Sequence, residues 1–182
     1  MRKFSLFLFL SAFVACNSNK EPQVQSANTT DSSSKEKVNY PYNIRYASEF
    51  EIGDPNQSKT ILNLWKDFDN GNLSNSKEYF ADSVEIMLAG GMVMHTSKDS
   101  MIAMVQRHRD TYAAVSSEVD AVLPTRLPTR NESWVSVWGV ETDTYKDGKM
   151  DSTALEESWR FNKDGKIDML LQYARQLPKS KM

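Results

Sequence analysis

Cysteine occurs once and histidine twice in the 182 residues. The single cysteine excludes a disulfide framework and any zinc site built on thiolates, and His95 and His108 alone make no histidine-rich metal centre. Charge of one sign is also missing. Twenty-two basic residues face 24 acidic ones, for a formal charge of −2, so the chain lacks the concentrated basic surface that nucleic acid requires. No glycine-rich phosphate loop and no Ser-His-Asp pattern is visible. Asp147-Gly148 and Asp164-Gly165 look like fragments of calcium loops but lack further acidic ligands at the required spacing, so they read as turns. No metal and no cofactor is expected. What is present is 40% hydrophobic and 25% charged residues, enough for one globular domain with a tail.

The N-terminus carries an address. Arg2 and Lys3 precede an apolar run from Phe4 to Val14, which falls short of the roughly 20 residues a membrane-spanning helix needs. Its length suits the middle of an export signal. The run ends in Phe13-Val14-Ala15-Cys16, which resembles the bacterial lipoprotein signal, with Phe13 where that pattern usually has Leu. The resemblance implies cleavage after residue 15, lipidation of Cys16 and anchoring in the bacterial cell envelope, facing the periplasm or the surface. Residues 17–39 are dominated by Asn, Ser, Thr, Gln, Lys and Glu. Such a stretch cannot bury enough apolar area to offset its ordering entropy, and it reads as a tether with a coil span of roughly 25 Å. The expected organisation is a signal at 1–15, Cys16 and the tether over 16–39, an aromatic arm at 40–56, a domain at 57–177 and a tail at 178–182.

Within the domain, Ile61, Leu62, Trp65 and Phe68 recur at helical spacing, with Ser58 as a start and Asn70-Gly71-Asn72 as a stop. Leu73, Tyr79 and Phe80 suggest a short second helix. Val84, Ile86 and Leu88 alternate as a strand, and Gly90-Gly91 turns the chain into another. Ser97 caps a third helix whose apolar face is Met101, Met104, Val105, His108 and Tyr112. Strand patterns over 114–123, 132–146, 152–162 and 166–175 complete the chain.

Two hairpin turns set the predicted register of the last three strands. Asp147-Gly148 predicts a two-residue loop, which pairs Tyr145 with Met150 and Trp138 with Glu157. One face of the sheet then carries Trp134, Trp138, Val140, Leu155, Trp159 and Phe161. The other carries Val135, Val137, Glu141, Asp143 and Arg160. For the next turn, a three-residue loop with Gly165 in the left-handed position keeps Asp168 and Gln172 out of the core. It places Ile167, Met169, Leu171 and Tyr173 on the apolar face. Glu157 falls between Trp138 and Leu171 as a carboxylate on an otherwise apolar surface.

Three stretches carry a resemblance to the nuclear-transport-factor-2-like fold, in particular its SnoaL-like branch, over residues 57–175. They are Ile61-Leu62-Asn63-Leu64-Trp65-Lys66-Asp67-Phe68, Tyr79-Phe80-Ala81-Asp82-Ser83-Val84, and Glu157-Ser158-Trp159-Arg160-Phe161 running on through Asn162-Lys163-Asp164-Gly165-Lys166-Ile167. The resemblance implies an α+β cone, with N-terminal helices packed on a curved antiparallel sheet around an apolar pocket, and a homodimer formed through the sheet. The catalytic sets of the isomerase and dehydratase members do not match this chain, so no catalytic residue carries over. The leading expectation is a membrane-tethered lipoprotein that binds a small apolar ligand through Trp65, Met104, His108, Trp138, Glu157, Leu171 and Tyr173. A second is an isomerase, dehydratase or cyclase using Glu157 with His108 or Tyr173. A third is an envelope interaction module that docks through Glu141, Asp143 and Arg160.

Overall fold

The computed structural model describes residues 38–178; the signal at 1–15, Cys16, the tether up to residue 37 and tail residues 179–182 lie outside them. Strand β1 (Glu51–Ile52) ends the aromatic arm, and helix α1 (Pro55–Asn70) follows. The helix begins earlier than Ser58. Asp54 accepts from the Asn56 backbone N–H at 2.8 Å and Pro55 fills the first turn, where a missing N–H costs nothing. Gly71 stops the helix in the left-handed conformation, φ 71°, a role glycine fills without steric penalty. The short second helix is a 3-10 segment, Leu73–Tyr79. Then come β2 (Phe80–Met87), β3 (Val93–Ser97) and α2 (Lys98–Arg109), the last capped by Ser97 accepting from the Ser100 N–H. Strands β4 (Tyr112–Leu127), β5 (Glu132–Tyr145), β6 (Met150–Phe161) and β7 (Ile167–Gln176) follow as a meander.

The seven strands form one sheet in the order β1-β4-β5-β6-β7-β2-β3. It is mixed rather than wholly antiparallel, because β2 runs parallel to β7. The helices cover one face. Ile61, Leu64 and Trp65 of α1 and Met101 of α2 pack against Val135, Val137, Trp159 and Phe161. Two polar side chains, buried Arg109 and half-buried Gln106, hold the helix ends together. The Arg109 guanidinium donates to the Phe68 and Asp69 carbonyls, both at 2.8 Å, and Gln106 bonds the Gly71 carbonyl and the Leu73 N–H. A cation on the last-turn carbonyls of α1 also complements its dipole.

Both predicted sheet registers fail by one residue, for separate reasons. The β5–β6 hairpin uses a three-residue loop instead of a two-residue one: Tyr145 N–H bonds Lys149 O, Gly148 N–H bonds Tyr145 O, and Gly148 has φ 83°. Trp138 therefore opposes Glu156, and Val137 opposes Glu157. A one-residue slip exchanges the faces of a strand. Val135, Val137, Glu141 and Asp143 consequently point inward with Glu157, while Trp134 and Trp138 share the outer face with Arg160. The docking face expected from Glu141, Asp143 and Arg160 is thus split between two sides of the sheet.

The β6–β7 turn does adopt the expected three-residue loop, with Gly165 at φ 71°. Beyond it, however, a bulge at Asp168 shifts the pairing from Phe161–Ile167 to Arg160–Met169. Asp168 meets Arg160 at 2.8 Å, so the inserted residue is held by an ion pair. Past the bulge, Leu170 and Gln172 turn inward, and Leu171 and Tyr173 turn outward.

Candidate functional site

The helices and the inner sheet face enclose a cavity of about 380 Å3, within the range of small-molecule pockets. Most of its wall is apolar, from Leu64, Phe68, Ile86, Met101, Val105 and Leu155 among others. Its polar groups are few: Glu157, Gln172, Glu141, Ser117, His108 and Glu85.

Glu157, 5% exposed, sits on β6 where the inner face meets α1. Its Oε2 accepts from Trp65 Nε1 at 2.7 Å and Trp159 Nε1 at 3.1 Å, and its Oε1 accepts from Gln172 Nε2 at 2.9 Å. Burial pushes its pKa up, and the three N–H donors act against that rise. The arrangement makes Glu157 the hub of an internal network that fixes both indoles and the amide. Gly139 completes the seat. A Cβ there would lie 3.1 Å from the Trp65 ring and 2.3 Å from the Glu118 carbonyl, so the ring can rest on the strand only because the side chain is absent.

Glu141 differs. It also lines the cavity, yet among the described residues no donor bonds its carboxyl. Burial, then the charges of Asp143, Glu157 and Asp69, push its pKa up to about 8, with Arg109 acting in the opposite sense. Asp143, two residues on, is 7% exposed with an unbonded Oδ1, and burial raises its pKa as well. Across the strand pair from Glu141, Ser117 directs its hydroxyl to Asp69 Oδ1 at 2.8 Å. His108 stands exposed at the rim, its ring 5.3 Å from that of Tyr112 and edge-on to it.

Of the residues singled out in the sequence, Trp65, Met104, His108 and Glu157 line the cavity. Trp138, Leu171 and Tyr173 do not. The two register shifts put them on the outer face, where Tyr173 is 66% exposed, so it cannot act beside Glu157. Sequence reasoning missed Glu141, Gln172 and Ser117. The signal for Glu141 was present in the repeated Lys-Asp-Gly-Lys of the two hairpins at 146–149 and 163–166. Treating both turns alike would have turned Glu141 inward.

No protein-family model matches the sequence, and a comparison with curated proteins finds no significant relative. Solved structures are similar in fold. An NTF2-like protein of unknown function from Exiguobacterium aligns with TM-score 0.53 at 16% identity, covering 64% of this chain and 98% of its own. AusH from Aspergillus nidulans gives TM-score 0.54 at 15% identity, with coverage of 69% and 87%. IdmH from Streptomyces antibioticus, whose assigned role as a polyketide cyclase is provisional, gives 0.52 at 18%, with coverage of 65% and 91%. Helices on one face of the curved sheet, the cavity between them and these likenesses together make the described domain one of the nuclear-transport-factor-2-like fold.

Proposed function

We propose that this chain is a lipid-anchored protein of the bacterial envelope whose cone cavity binds a small, largely apolar molecule. The observation that carries the reading is an apolar cavity into which the Glu141 carboxyl faces with no hydrogen-bond donor among the described residues. Apolar walls with few convergent polar groups are the usual build of a ligand site. The provisional cyclase role of IdmH is in keeping with a small organic ligand. Anchoring rests on Cys16 and the preceding signal. Two or three acyl chains hold a protein stably at a membrane, at about 0.8 kcal/mol per buried methylene. The homodimer expected from the resemblance would use the outer sheet face around Trp138 and Leu171.

Native mass spectrometry of the full-length chain, purified in detergent, tests the binding reading. A reproducible small-molecule adduct lost on denaturation supports it, and the same spectra give the oligomer mass. For the anchor, Cys16→Ala is expected to release the protein from membranes, and unchanged membrane association refutes lipidation.

A second reading is favoured by one observation. A carboxyl poised near pH 8 and facing a cavity suits general acid–base chemistry, so an isomerase, dehydratase or cyclase activity would centre on Glu141 rather than on Glu157, whose oxygens already serve three donors. In that case Glu141→Gln abolishes turnover while folding is kept.

A further inference from the structure

The hydrogen-bonding inventory of the cavity is one-sided. Its indole donors, Trp65 Nε1 and Trp159 Nε1, are both committed to Glu157, and Gln172 turns its amide nitrogen to the same carboxylate. The Ser117 hydroxyl is committed to Asp69. Among the described residues no lysine or arginine lines the wall; buried Arg109 is bound to backbone carbonyls at the end of α1. What remains facing the space is chiefly acidic: the Glu141 carboxyl, and Glu85, whose carboxylate lies 3.8 Å from the His95 ring, with His108 at the rim as the one ionisable nitrogen among the lining residues. A carboxylate or phosphate ligand would meet these acids with only the rim imidazole of His108 to offset them. A neutral hydrocarbon would leave Glu141 buried without a partner, which is costly.

We propose that the cavity takes an apolar ammonium, a protonated amine on a compact hydrocarbon body, with its N–H groups on the Glu141 carboxylate and its apolar part against Leu64, Phe68, Met101 and Leu155. This assignment deepens the small-molecule reading above and rests on it. It also has a pH signature. Glu141 is faced by Asp69 from α1, His108 and Arg109 from α2, Tyr112 and Ser117 from β4, Glu157 from β6 and Asp143 on its own strand. With its pKa near 8 in the empty cavity, Glu141 must release a proton to pair with an ammonium at pH 7. Amine affinity therefore rises as pH increases from 6 to 8, and the proton uptake by buffer falls to zero above that range.

The test is calorimetric titration of the full-length chain with three probes that share one body: 1-adamantylamine, 1-adamantanol and 1-adamantanecarboxylate. At pH 7 the amine is expected to bind about tenfold more tightly than the alcohol and about a hundredfold more tightly than the carboxylate. Titrations in two buffers of different ionisation enthalpy should show a proton released with the amine alone. Glu141→Gln should bring the amine to the level of the alcohol. Because the three probes are compared on the unmodified protein, the result stands even if that variant folds poorly. An alcohol or carboxylate that binds as tightly as the amine overturns the ammonium assignment and leaves the pocket reading in place. Absence of binding by all three up to about 10 mM overturns both.

Discussion

The two faces of strand β5 carry residues that look reversed. The inner face, packed under the helices, bears Val135, Val137, Glu141 and Asp143, whereas the outer face bears Trp134, Trp138 and Val140. Aromatic residues line the side without helices, and two acids line the interior. The difference teaches that residue type alone does not assign a face here. The inner acids differ in how they are accommodated: Glu157 of the neighbouring strand is saturated by internal donors, Glu141 borders the cavity, and Asp143 is buried with an unbonded Oδ1. On the outer face the tryptophans remain partly exposed and need no such arrangement. Trp134 lies edge-on to Tyr46 of the N-terminal arm, with centroids 6.3 Å apart, and the Arg160 guanidinium sits 5.9 Å above it.

The largest expected effect comes from emptying the inner network. Glu157→Leu leaves the Trp65 and Trp159 indole N–H groups and the Gln172 amide without their acceptor. With one unpaired buried group costing about 1–3 kcal/mol, the loss should reach on the order of 3–5 kcal/mol in urea unfolding. Glu157→Gln keeps one carbonyl acceptor and should cost less. If Glu157→Leu is instead as stable as the parent, the network does not hold the inner face together.

A middle-sized effect concerns pH. Glu141, raised to about 8 in the folded state from an ordinary 4.5, binds more protons folded than unfolded between those values. Stability therefore falls as pH rises from about 4.5 to 8 and then levels off. The upward shifts of Glu157 and Asp143 have the same sign. After allowance for solvent near the cavity, Glu141 should account for on the order of 2 kcal/mol. Glu141→Gln should flatten that slope and raise the melting temperature at pH 8.5. A parent protein that gains stability over this interval contradicts the inward acid pair.

The smallest effect belongs to the outer face. Tyr173→Ser removes a ring that is 66% exposed and should change stability by no more than about 0.5 kcal/mol, with no effect on any ligand of the cavity. A strong loss of binding in this variant would erase the contrast between the faces.

Much of the fold was legible in the sequence. Helical spacing around Trp65, the Gly71 stop, the Ser97 cap and the alternating strands each rest on local rules, and the structure keeps them. The short loops did not yield so fully. A loop longer by one residue at Gly148 and a bulge at Asp168 are small local choices, but in a structure of period two each inverts every side chain beyond it. For that reason Glu157 was found, since it lies on the strand between the two irregularities, while its neighbours were misnamed. Trp138 and Leu171 took the places that belong to Val137 and Gln172. The parallel β2–β7 pair was equally hidden, because no local signal joins strands some 80 residues apart.

The sharing of Glu157 by two indoles has a kinetic consequence. Trp65 and Trp159 each hold an N–H proton on a carboxylate that is only 5% exposed, whereas the Trp134 proton lies on half-buried Glu132 at 3.2 Å. The two inner protons exchange with deuterium when their shared bond to Glu157 breaks, through local opening at the cavity wall or unfolding of the domain. Their two exchange rates should therefore move together, and their common rate is a clock for how often the cone opens.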